Sequence, residues 1–395
     1  MISLKQHLSN ESGPKRILAL DGGGIRGAIT IGYLEQMEKI LSERYKDFMK
    51  PSDFRLCDYF DLIGGTSTGS IIAACLAVGM NVAEIKEKYF KLGGMIFEDK
   101  NKIWDVLHIR KALRARFDEK KLKQHLKEAF SDENGNDILL GSPQIKTGLC
   151  IIAKRADTNS TWTINNHFND KFFNTVKLGE NAKIPLKDVV RASAAAPTYF
   201  IPEIINVGNN EMAAFVDGGV STANNPSIFL LMVATLNGYA FQWKRGMENI
   251  FLVSLGTGTS SLKTTVADIS DNWILSWAQS VPDMIMQDAS WLNQIVLQWI
   301  SRSDTRKYID MQIEKMENDL LTPEPVLTYN RYNVEMTIDN LKRLGFNEGK
   351  DYKTLAHIIE MSNGENVEIL YNIGAVDARN DVKPEHFRAV FDLNP

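Results

Sequence analysis

Cysteine is scarce in this sequence: three of its 395 residues are cysteines, at Cys57, Cys75 and Cys150. Their wide spacing matches neither a zinc-binding pattern nor a redox pair, and an odd number cannot form a closed set of disulfides. A chain of this length buries enough apolar surface to fold without disulfides or a structural metal. The cysteine pattern therefore predicts a protein of a reducing compartment.

The sequence also lacks a long hydrophobic segment. Its longest nearly unbroken apolar stretch, Ile71 to Met80, is only about half as long as a membrane-spanning helix requires. The N-terminal stretch MISLKQHLSNESGPKR is polar and has no apolar segment typical of a secretory signal. These absences predict a cytoplasmic protein that meets lipid, if at all, peripherally at the inner membrane.

Neither sign of charge dominates the chain. Its 45 Lys and Arg residues are nearly balanced by 49 Asp and Glu residues, which gives a formal net charge of −4. This balance provides no general attraction to a nucleic acid polymer, so we predict no such partner. Internal repeats, low-complexity tracts and Pro/Ser-rich linkers are absent as well, so no clean domain boundary is visible.

The sequence does contain an alternation of strand and helix patterns. The apolar run at 16–20 ends in DGGG, and residues 28–44 then have helical spacing. The pattern repeats at once, because YFDLIGG predicts a strand ending in glycines and SIIAACLAVGM predicts a helix. Further buried strands are predicted at Gly148–Lys154, Ala213–Val216 and Ile250–Leu255. This alternation predicts an α/β fold with a mostly parallel sheet covered by helices on both faces.

Beyond about residue 265 the pattern becomes mainly helical. Trp273 to Ile300 has helical periodicity, although Pro282 is expected to break or kink that helix. We therefore divide the chain into an N-terminal polar segment (1–15), an α/β domain (16–260) and a mainly helical C-terminal portion (261–395). The last of these could serve as a lid, an oligomer contact or a regulatory element.

The sequence GTSTG, at residues 65–69, lies at a predicted strand-to-helix junction. A nucleophilic serine requires a sharp turn of this kind, with Gly65 and Gly69 allowing tight packing around Ser67. The helix that follows directs its positive end toward the serine, which favours developing negative charge. The alternative is an ordinary tight turn; the strand before the motif and the apolar helix after it favour the nucleophile.

The sequence DGGGIRG, at residues 21–27, also joins a strand to a helix. Gly22, Gly24 and Gly27 fit the G-x-G-x-x-G pattern, so one hypothesis is a nucleotide-binding protein. That hypothesis requires an acidic residue after the next strand, where GGTS stands instead. The other hypothesis is an oxyanion hole, because glycine N–H groups at a helix start bind anions. With GTSTG beside it, the oxyanion hole is favoured.

The sequence DGG begins at Asp217 and follows the apolar run AAFV. A plain turn is the alternative, but Ser67 needs a base. A histidine in the order of α/β-hydrolases would follow the acid, and only His357 and His386 follow Asp217. Neither lies at the end of an apolar strand. A Ser67–Asp217 dyad therefore fits the sequence better than a triad, provided that an oxyanion hole supplies much of the stabilisation.

These three motifs, in this order and at these separations, resemble those of the patatin-like phospholipases. The segment from Arg191 to Pro202 is similar to the one that precedes the catalytic aspartate in that family, and Asn224-Asn225-Pro226 resembles the one that follows it. The likeness covers residues 16–260. One mild departure is Gly219, where many relatives have alanine.

The resemblance implies a three-layer α/β/α fold and hydrolysis of fatty acyl esters of membrane phospholipids or other polar lipids, without metal or cofactor. It implies that Ser67 attacks the ester and that Asp217 takes the proton. The residues implied to hold the oxyanion are Gly22, Gly23, Gly24 and Arg26. The remaining motif glycines are Gly27, Gly65, Gly69, Gly218 and Gly219.

Two further stretches carry hypotheses. The tryptophan-rich stretch 273–300 could be a core helix, a membrane-contacting lid or a contact in a homo-oligomer. The basic stretch 110–127 is typical of a solvated helix face, and the sharper hypothesis is a site for an anionic headgroup or a phosphate-bearing regulator. Some bacterial patatin-like enzymes of similar size are anti-phage effectors switched on by cyclic nucleotides. The resemblance therefore suggests a cyclic-nucleotide activator and a role in antiviral defence.

Overall fold

The computed structural model describes residues 2–97, 119–175, 178–197, 199–259, 274–349 and 351–393. Of residues 94–97 and 274–283 it describes the backbone only. The basic residues between 110 and 118 and Trp273 lie outside the described residues, so the hypotheses about them stay predictions.

A nine-stranded sheet forms the centre of the described structure. Its order is β5-β6-β3-β2-β1-β7-β9-β8, and β4 also pairs with β3. The strands from β3 through β2, β1, β7 and β9 to β8 are parallel, whereas β4, β5 and β6 are antiparallel to their neighbours. The strand bounds are β1 Lys15–Leu20, β2 Leu62–Thr66, β3 Gly148–Arg155, β4 Ser160–Asn165, β5 Glu203–Asn206, β6 Met212–Asp217, β7 Ile250–Leu255, β8 Ser301–Arg302 and β9 Leu327–Tyr332.

Helices cover both faces of this sheet, which confirms the predicted three-layer α/β/α fold with a mostly parallel sheet. Alternate residues of β1 show the two faces: Leu18 and Leu20 join one apolar core, and Ile17 and Ala19 join the other. The helices are α1 Leu4–Leu8, α2 Gly27–Arg44, α3 Leu56–Tyr59, α4 Thr68–Ala77, α5 Val82–Phe97, α6 Glu119–Ala129, α7 Leu186–Ser193, α8 Ser227–Thr235, α9 Ile274–Ile300, α10 Ile338–Arg343, α11 Tyr352–Ile359 and α12 Val367–Asp381.

The central strands consist mainly of apolar residues and glycine, which is what burial by helices on both faces requires. Every residue of β1, β2 and β7 is buried, as expected for parallel strands covered on both faces. On one face the core includes residues of α2, α4, α7 and α12, and on the other it includes residues of α1, α8 and α9. The strands predicted from 16, 148, 213 and 250 are all confirmed, with ends within one residue of those predicted.

The sheet continues into the part of the chain beyond residue 260. β9 pairs in parallel with β7, and β8 extends the sheet by one more short strand. The sequence analysis missed β9. The division of the chain at residue 260 stays a prediction, and the sheet itself crosses it.

Helix α9 continues through Pro282, so the expected break there does not occur. In the C-terminal half of α9, Ala289, Asn293 and Leu297 are buried at four-residue spacing. Trp291 and Trp299 lie on its outer face and are 47% and 40% exposed. Across the described part of the chain, no helix is both long and apolar enough to cross a membrane.

Candidate active site

The functional motifs meet at one edge of the sheet. β1 and β2 are parallel neighbours with Leu20 opposite Gly65, so the DGGG and GTSTG turns leave the sheet side by side. β6 ends at Asp217, which pairs with Ala153 of β3, the strand next to β2. Ligand sites of open α/β sheets form at the carboxyl ends of the parallel strands for this reason.

Ser67 is held in a strained turn between β2 and α4. Its backbone has φ of 53° and ψ of −126°, which is rare for a residue with a side chain. The turn is very tight, because a Cβ atom on Gly65 would lie 2.2 Å from the Gly69 carbonyl oxygen. A Cβ on Gly69 would lie 2.3 Å from the carbonyl oxygen of Leu20. Glycine is therefore required at both predicted motif positions, and the turn presents Ser67 above the sheet.

The serine hydroxyl contacts the carboxylate that the sequence predicted. Ser67 Oγ donates a hydrogen bond of 2.6 Å to Asp217 Oδ2. The other carboxylate oxygen, Oδ1, accepts the backbone N–H of Gly219 at 2.7 Å. These two bonds orient the carboxylate, and Oδ2 is positioned to receive the serine proton.

Burial makes Asp217 a stronger base than an ordinary aspartate. The side chain is only 4% exposed, and this desolvation raises its pKa to about 6. Hydrogen bonds from Ser67 and Gly219 and the positive charge of Arg191 act in the opposite direction. Asp217 is therefore ionised at neutral pH, yet its proton affinity is closer to that pH than an exposed carboxylate would allow.

A second serine, Ser193, supports the backbone of Ser67. The backbone N–H of Ser67 donates to Ser193 Oγ at 2.9 Å, and Ser193 Oγ–H donates to the Ile152 carbonyl at 2.6 Å. Ser193 is fully buried at the end of α7. The sequence analysis noted its segment only as a family likeness and assigned it no role.

The glycine turn departs from the prediction at Gly22. The Gly22 N–H donates to the Asn224 carbonyl at 3.0 Å, and the Gly22 carbonyl accepts from Thr257 Oγ1 at 3.0 Å. Because its N–H already has an acceptor, Gly22 does not serve as an oxyanion donor in this structure. Gly23 and Gly24 line the cavity beside Ser67, and their role in the oxyanion hole stays a prediction.

The other end of the turn is held by two elements that sequence reasoning missed. Gly24 has φ of 58°, and its carbonyl accepts a 2.6 Å hydrogen bond from Tyr89 Oη on α5. Ile25 N–H donates to the carbonyl of Met361, after α11, at 3.0 Å. No local pattern marks Tyr89 or Met361 as partners of residues so distant in the chain.

A buried ion pair lies beneath the same turn. Arg331 of β9 donates to Asp21 through Nη1 and Nη2 at 2.9 and 2.6 Å, and Nη1 also donates to Ser254 Oγ at 2.6 Å. Both charged residues are at most 4% exposed. This fork-shaped pairing fixes Asp21, the residue that begins the glycine turn.

The site opens into a large cavity of about 1070 Å³ among the described residues. Ser67, Asp217 and Arg26 line it together with Asn224 and Gly219. This volume reaches the upper end of the usual range for ligand sites. Most of its other lining side chains are apolar, and they include Ile71, Leu92, Leu122, Phe200, Val220, Met284, Trp291 and Ile359.

The described histidines lie elsewhere. His7 contacts Asp61 at 2.9 Å, before the start of β2 and therefore at the opposite edge of the sheet. His357 contacts Asn363, and His386 contacts Tyr332 Oη at 2.8 Å. None of the five histidines within the described residues lines the cavity, and the sixth, His108, lies outside them.

Comparison with known proteins identifies the family of this chain. The family model described as patatin-like phospholipase matches residues 18–230, more than half of the chain. Patatin-17 of Solanum cardiophyllum is 30% identical over 306 residues, which cover 71% of each protein. Patatin-2-Kuras 3 of Solanum tuberosum is 28% identical over 319 residues, which cover 75% of each.

Among solved structures, VipD from Legionella pneumophila aligns with 91% of this chain and 67% of its own, at 14% identity and a TM-score of 0.33. A superposition this poor supports no argument about the site. By the family match and the patatin relatives, the chain belongs to the patatin-like phospholipase family, and this membership supports a lipid acyl hydrolase activity.

Proposed function

We propose that this protein hydrolyses fatty acyl esters of phospholipids or other polar lipids through a Ser67–Asp217 dyad. The observation that carries the proposal is the 2.6 Å hydrogen bond from Ser67 Oγ to Asp217 Oδ2, at the base of a large and mainly apolar cavity. The apolar cavity can hold an acyl chain. The hydrogen-bonded pair provides a nucleophile and a base for attack on an ester carbonyl.

In the first half of the reaction, Ser67 Oγ attacks the ester carbonyl carbon while its proton passes to Asp217 Oδ2. The oxygen of the tetrahedral intermediate becomes negative, and the amides of Gly23 and Gly24 with the cation of Arg26 are the groups proposed to stabilise it. The carbon–oxygen bond to the alcohol then breaks. The alcohol leaves with the proton from Asp217, and Ser67 remains acylated.

In the second half, Asp217 accepts a proton from water, and the resulting hydroxide attacks the acyl carbon. The new intermediate breaks its bond to Ser67 Oγ, which takes the proton back from Asp217. The products are the fatty acid and the free enzyme. The same hydrogen bond of Asp217 to Gly219 that orients the base in the first half orients it again here.

The test is incubation with a mixed phospholipid extract, with released fatty acid measured by mass spectrometry. We expect release by the wild type, and none above background from Ser67→Ala or Asp217→Ala, because each removes half of the dyad. Ser42→Ala, at a half-buried position of α2 outside the catalytic cavity, is the matched control and should release acid like the wild type. Appreciable release by either dyad variant would refute the assignment. If the wild type releases nothing, fluorophosphonate labelling of Ser67 separates an inactive site from one that awaits an activator.

A cytoplasmic location, contact with the membrane surface, a homo-oligomer, a cyclic-nucleotide activator and a role in antiviral defence all stay hypotheses. Four lysines of the basic stretch, Lys120, Lys121, Lys123 and Lys127, lie on α6, whereas its three arginines lie outside the described residues. The alternative of a nucleotide-binding protein gains no support from the site. β2 ends in Thr66 and leads into Ser67, where a ribose-binding acid is required, and Asp21 is already paired with Arg331.

A further inference from the structure

A second cavity of about 360 Å³ adjoins the catalytic cavity among the described residues. It lies between α4, α5 and α6. Three side chains, Ile71, Tyr89 and Leu92, line both cavities and so form the partition between them. Tyr89 is held in place by its bond to Gly24, and of the other two Ile71 is buried and Leu92 is only half-buried.

The interior of this second cavity is apolar and its rim is charged. Cys75 is buried, and that burial raises the pKa of its thiol to about 12, so the thiol stays uncharged. The other interior side chains are Ile72, Met80, Ile85, Leu126 and Ala129. The side chains at the rim are Glu84, Glu87, Lys88, Lys91, His125 and Glu128. An interior of this kind suits an alkyl chain rather than a polar group.

The two cavities follow one another along α4, which begins just after Ser67, and along α6. Ser67 precedes α4, Ile71 lies one turn further and lines both cavities, and Cys75 lies a further turn along and lines only the second. At a rise of 1.5 Å per residue, Cys75 is about 12 Å beyond Ser67 along the helix. On α6, Leu122 lines the catalytic cavity and Leu126 the second one.

We propose that the second cavity binds the distal methylenes of the substrate acyl chain whose carbonyl carbon is attacked by Ser67. This inference rests on the proposed function and adds a site that selects long chains. The argument is that the two cavities are adjacent, with Ile71, Tyr89 and Leu92 lining both, together with the apolar interior around Cys75. Burying one methylene is worth about 0.8 kcal/mol, so each methylene held there raises kcat/KM about fourfold.

The experiment compares two buried cysteines with the same substitution. Cys75→Phe places a ring in the second cavity, and Cys57→Phe overpacks α3, outside both cavities. Each full-length variant is assayed on lysophosphatidylcholine carrying an octanoyl or a palmitoyl chain. We expect the palmitoyl-to-octanoyl ratio of kcat/KM to fall at least tenfold in Cys75→Phe and to keep the wild-type value in Cys57→Phe.

A second variant covers the case in which Cys75→Phe does not fold. Ala129→Trp introduces a ring from the half-buried end of α6 and should lower the same ratio. A wild-type ratio in a folded Cys75→Phe or Ala129→Trp protein would overturn the inference, as would an equal fall in Cys57→Phe. If the wild type cleaves neither substrate and Ser67 resists fluorophosphonate, the proposed function fails first and the inference falls with it.

Discussion

At the residue scale, Asp217 combines two requirements that oppose each other. A general base must be ionised, yet it must hold a proton well enough to take one from a serine. Burial satisfies the second requirement by raising the pKa of Asp217 to about 6. The hydrogen bond from the Gly219 N–H serves the first requirement, because it stabilises the ionised carboxylate. Ser67, in its strained turn, is positioned against this carboxylate by the backbone bond to Ser193.

This arrangement has a cost in stability. The pKa of Asp217 in the folded protein, about 6, is higher than its ordinary value of 3.8. The folded state therefore binds the proton more tightly than the unfolded state does. The stabilisation from this group is fully present below about pH 4 and is lost as pH rises through about 6. The ionised base then costs on the order of 2 to 3 kcal/mol at neutral pH.

The raised pKa predicts an acid limb in the activity of the enzyme. Protonated Asp217 cannot accept the proton of Ser67, so kcat/KM on a zwitterionic phosphatidylcholine should fall about tenfold for each pH unit below about 6 and should level off above it. The measurement is initial rate against pH, with circular dichroism at each pH to establish that the protein stays folded. Constant kcat/KM down to pH 4 would contradict the assignment of Asp217 as the base.

At the scale of elements, the glycine turn depends on partners from distant parts of the chain, among them Asn224, which accepts the Gly22 N–H. Thr257 follows β7 and holds Gly22, Tyr89 of α5 holds Gly24, and Met361 holds Ile25. A turn of glycines has few side chains of its own with which to fix its shape, so external hydrogen bonds have to do so. The geometry of the proposed oxyanion donors is therefore set by the packing of α5 and of the segment after α11.

Removal of the Tyr89 hydroxyl should weaken catalysis more than binding. Tyr89→Phe leaves the Gly24 carbonyl without its buried donor and loosens the turn that faces the transition state. We expect kcat to fall about three- to tenfold with KM little changed, measured on a soluble ester. Tyr352→Phe, at an exposed position of α11, is the matched control and should keep both constants. A rise in KM at unchanged kcat would instead assign Tyr89 to substrate binding.

Most of the tryptophan-rich stretch 273–300 forms helix α9, whose two sides differ in burial. One side, with Ala289 and Leu297, packs into the protein, so this part of the stretch is partly a core helix. Trp291 is half exposed and also lines the catalytic cavity. Trp291 therefore borders the catalytic cavity, while contact of α9 with lipid or with a second copy of the chain stays a hypothesis.

At the scale of the whole molecule, the Asp21–Arg331 pair connects the first strand with a strand near the C-terminal end. Arg331 reaches the site because β9 pairs with β7, which pairs with β1. The pair is nearly fully buried and bidentate. Breaking such a pair leaves an uncompensated charge in the interior, whereas removing both charges is much less costly.

A double-mutant cycle should detect this connection. Arg331→Met is expected to lower the free energy of unfolding by about 3 to 5 kcal/mol, because Asp21 keeps a buried charge. Adding Asp21→Asn to that variant should recover part of the loss, as measured by urea denaturation. Arg302→Met, at a more exposed ion pair with Asp304, should cost less than about 1 kcal/mol. Additive losses for the two substitutions at Asp21 and Arg331 would show that the pair is not coupled.

The strands and turns of the sequence were predictable because their signals are local. Within β1 the run 17–20 is apolar, as is the run 250–253 within β7, and the turns around Gly65 and Gly69 admit only glycine. The contact of Ser67 with Asp217 was predictable by elimination, since neither histidine after Asp217 lies in a suitable place. The sequence analysis missed β9 because Thr328, Asn330 and Arg331 are polar, so the strand lacks the apolar pattern of a buried strand, although all three are buried. Their partners, at Met247, His386 and Asp21, are distant in the chain.

The sequence by itself determined the α/β fold class, the position of Ser67 on a sharp turn and the choice of Asp217 as its partner. The first two follow from spacing, apolar periodicity or glycine content within a short window, and the third from the lack of a suitably placed histidine after Asp217. Only the tertiary structure decided that the Gly22 amide is already bonded to Asn224 and that Ser193, Tyr89 and Arg331 support the site. Hydrogen bonds between distant segments, and the cavities that packed helices leave between them, depend on how the elements meet, which no local pattern encodes.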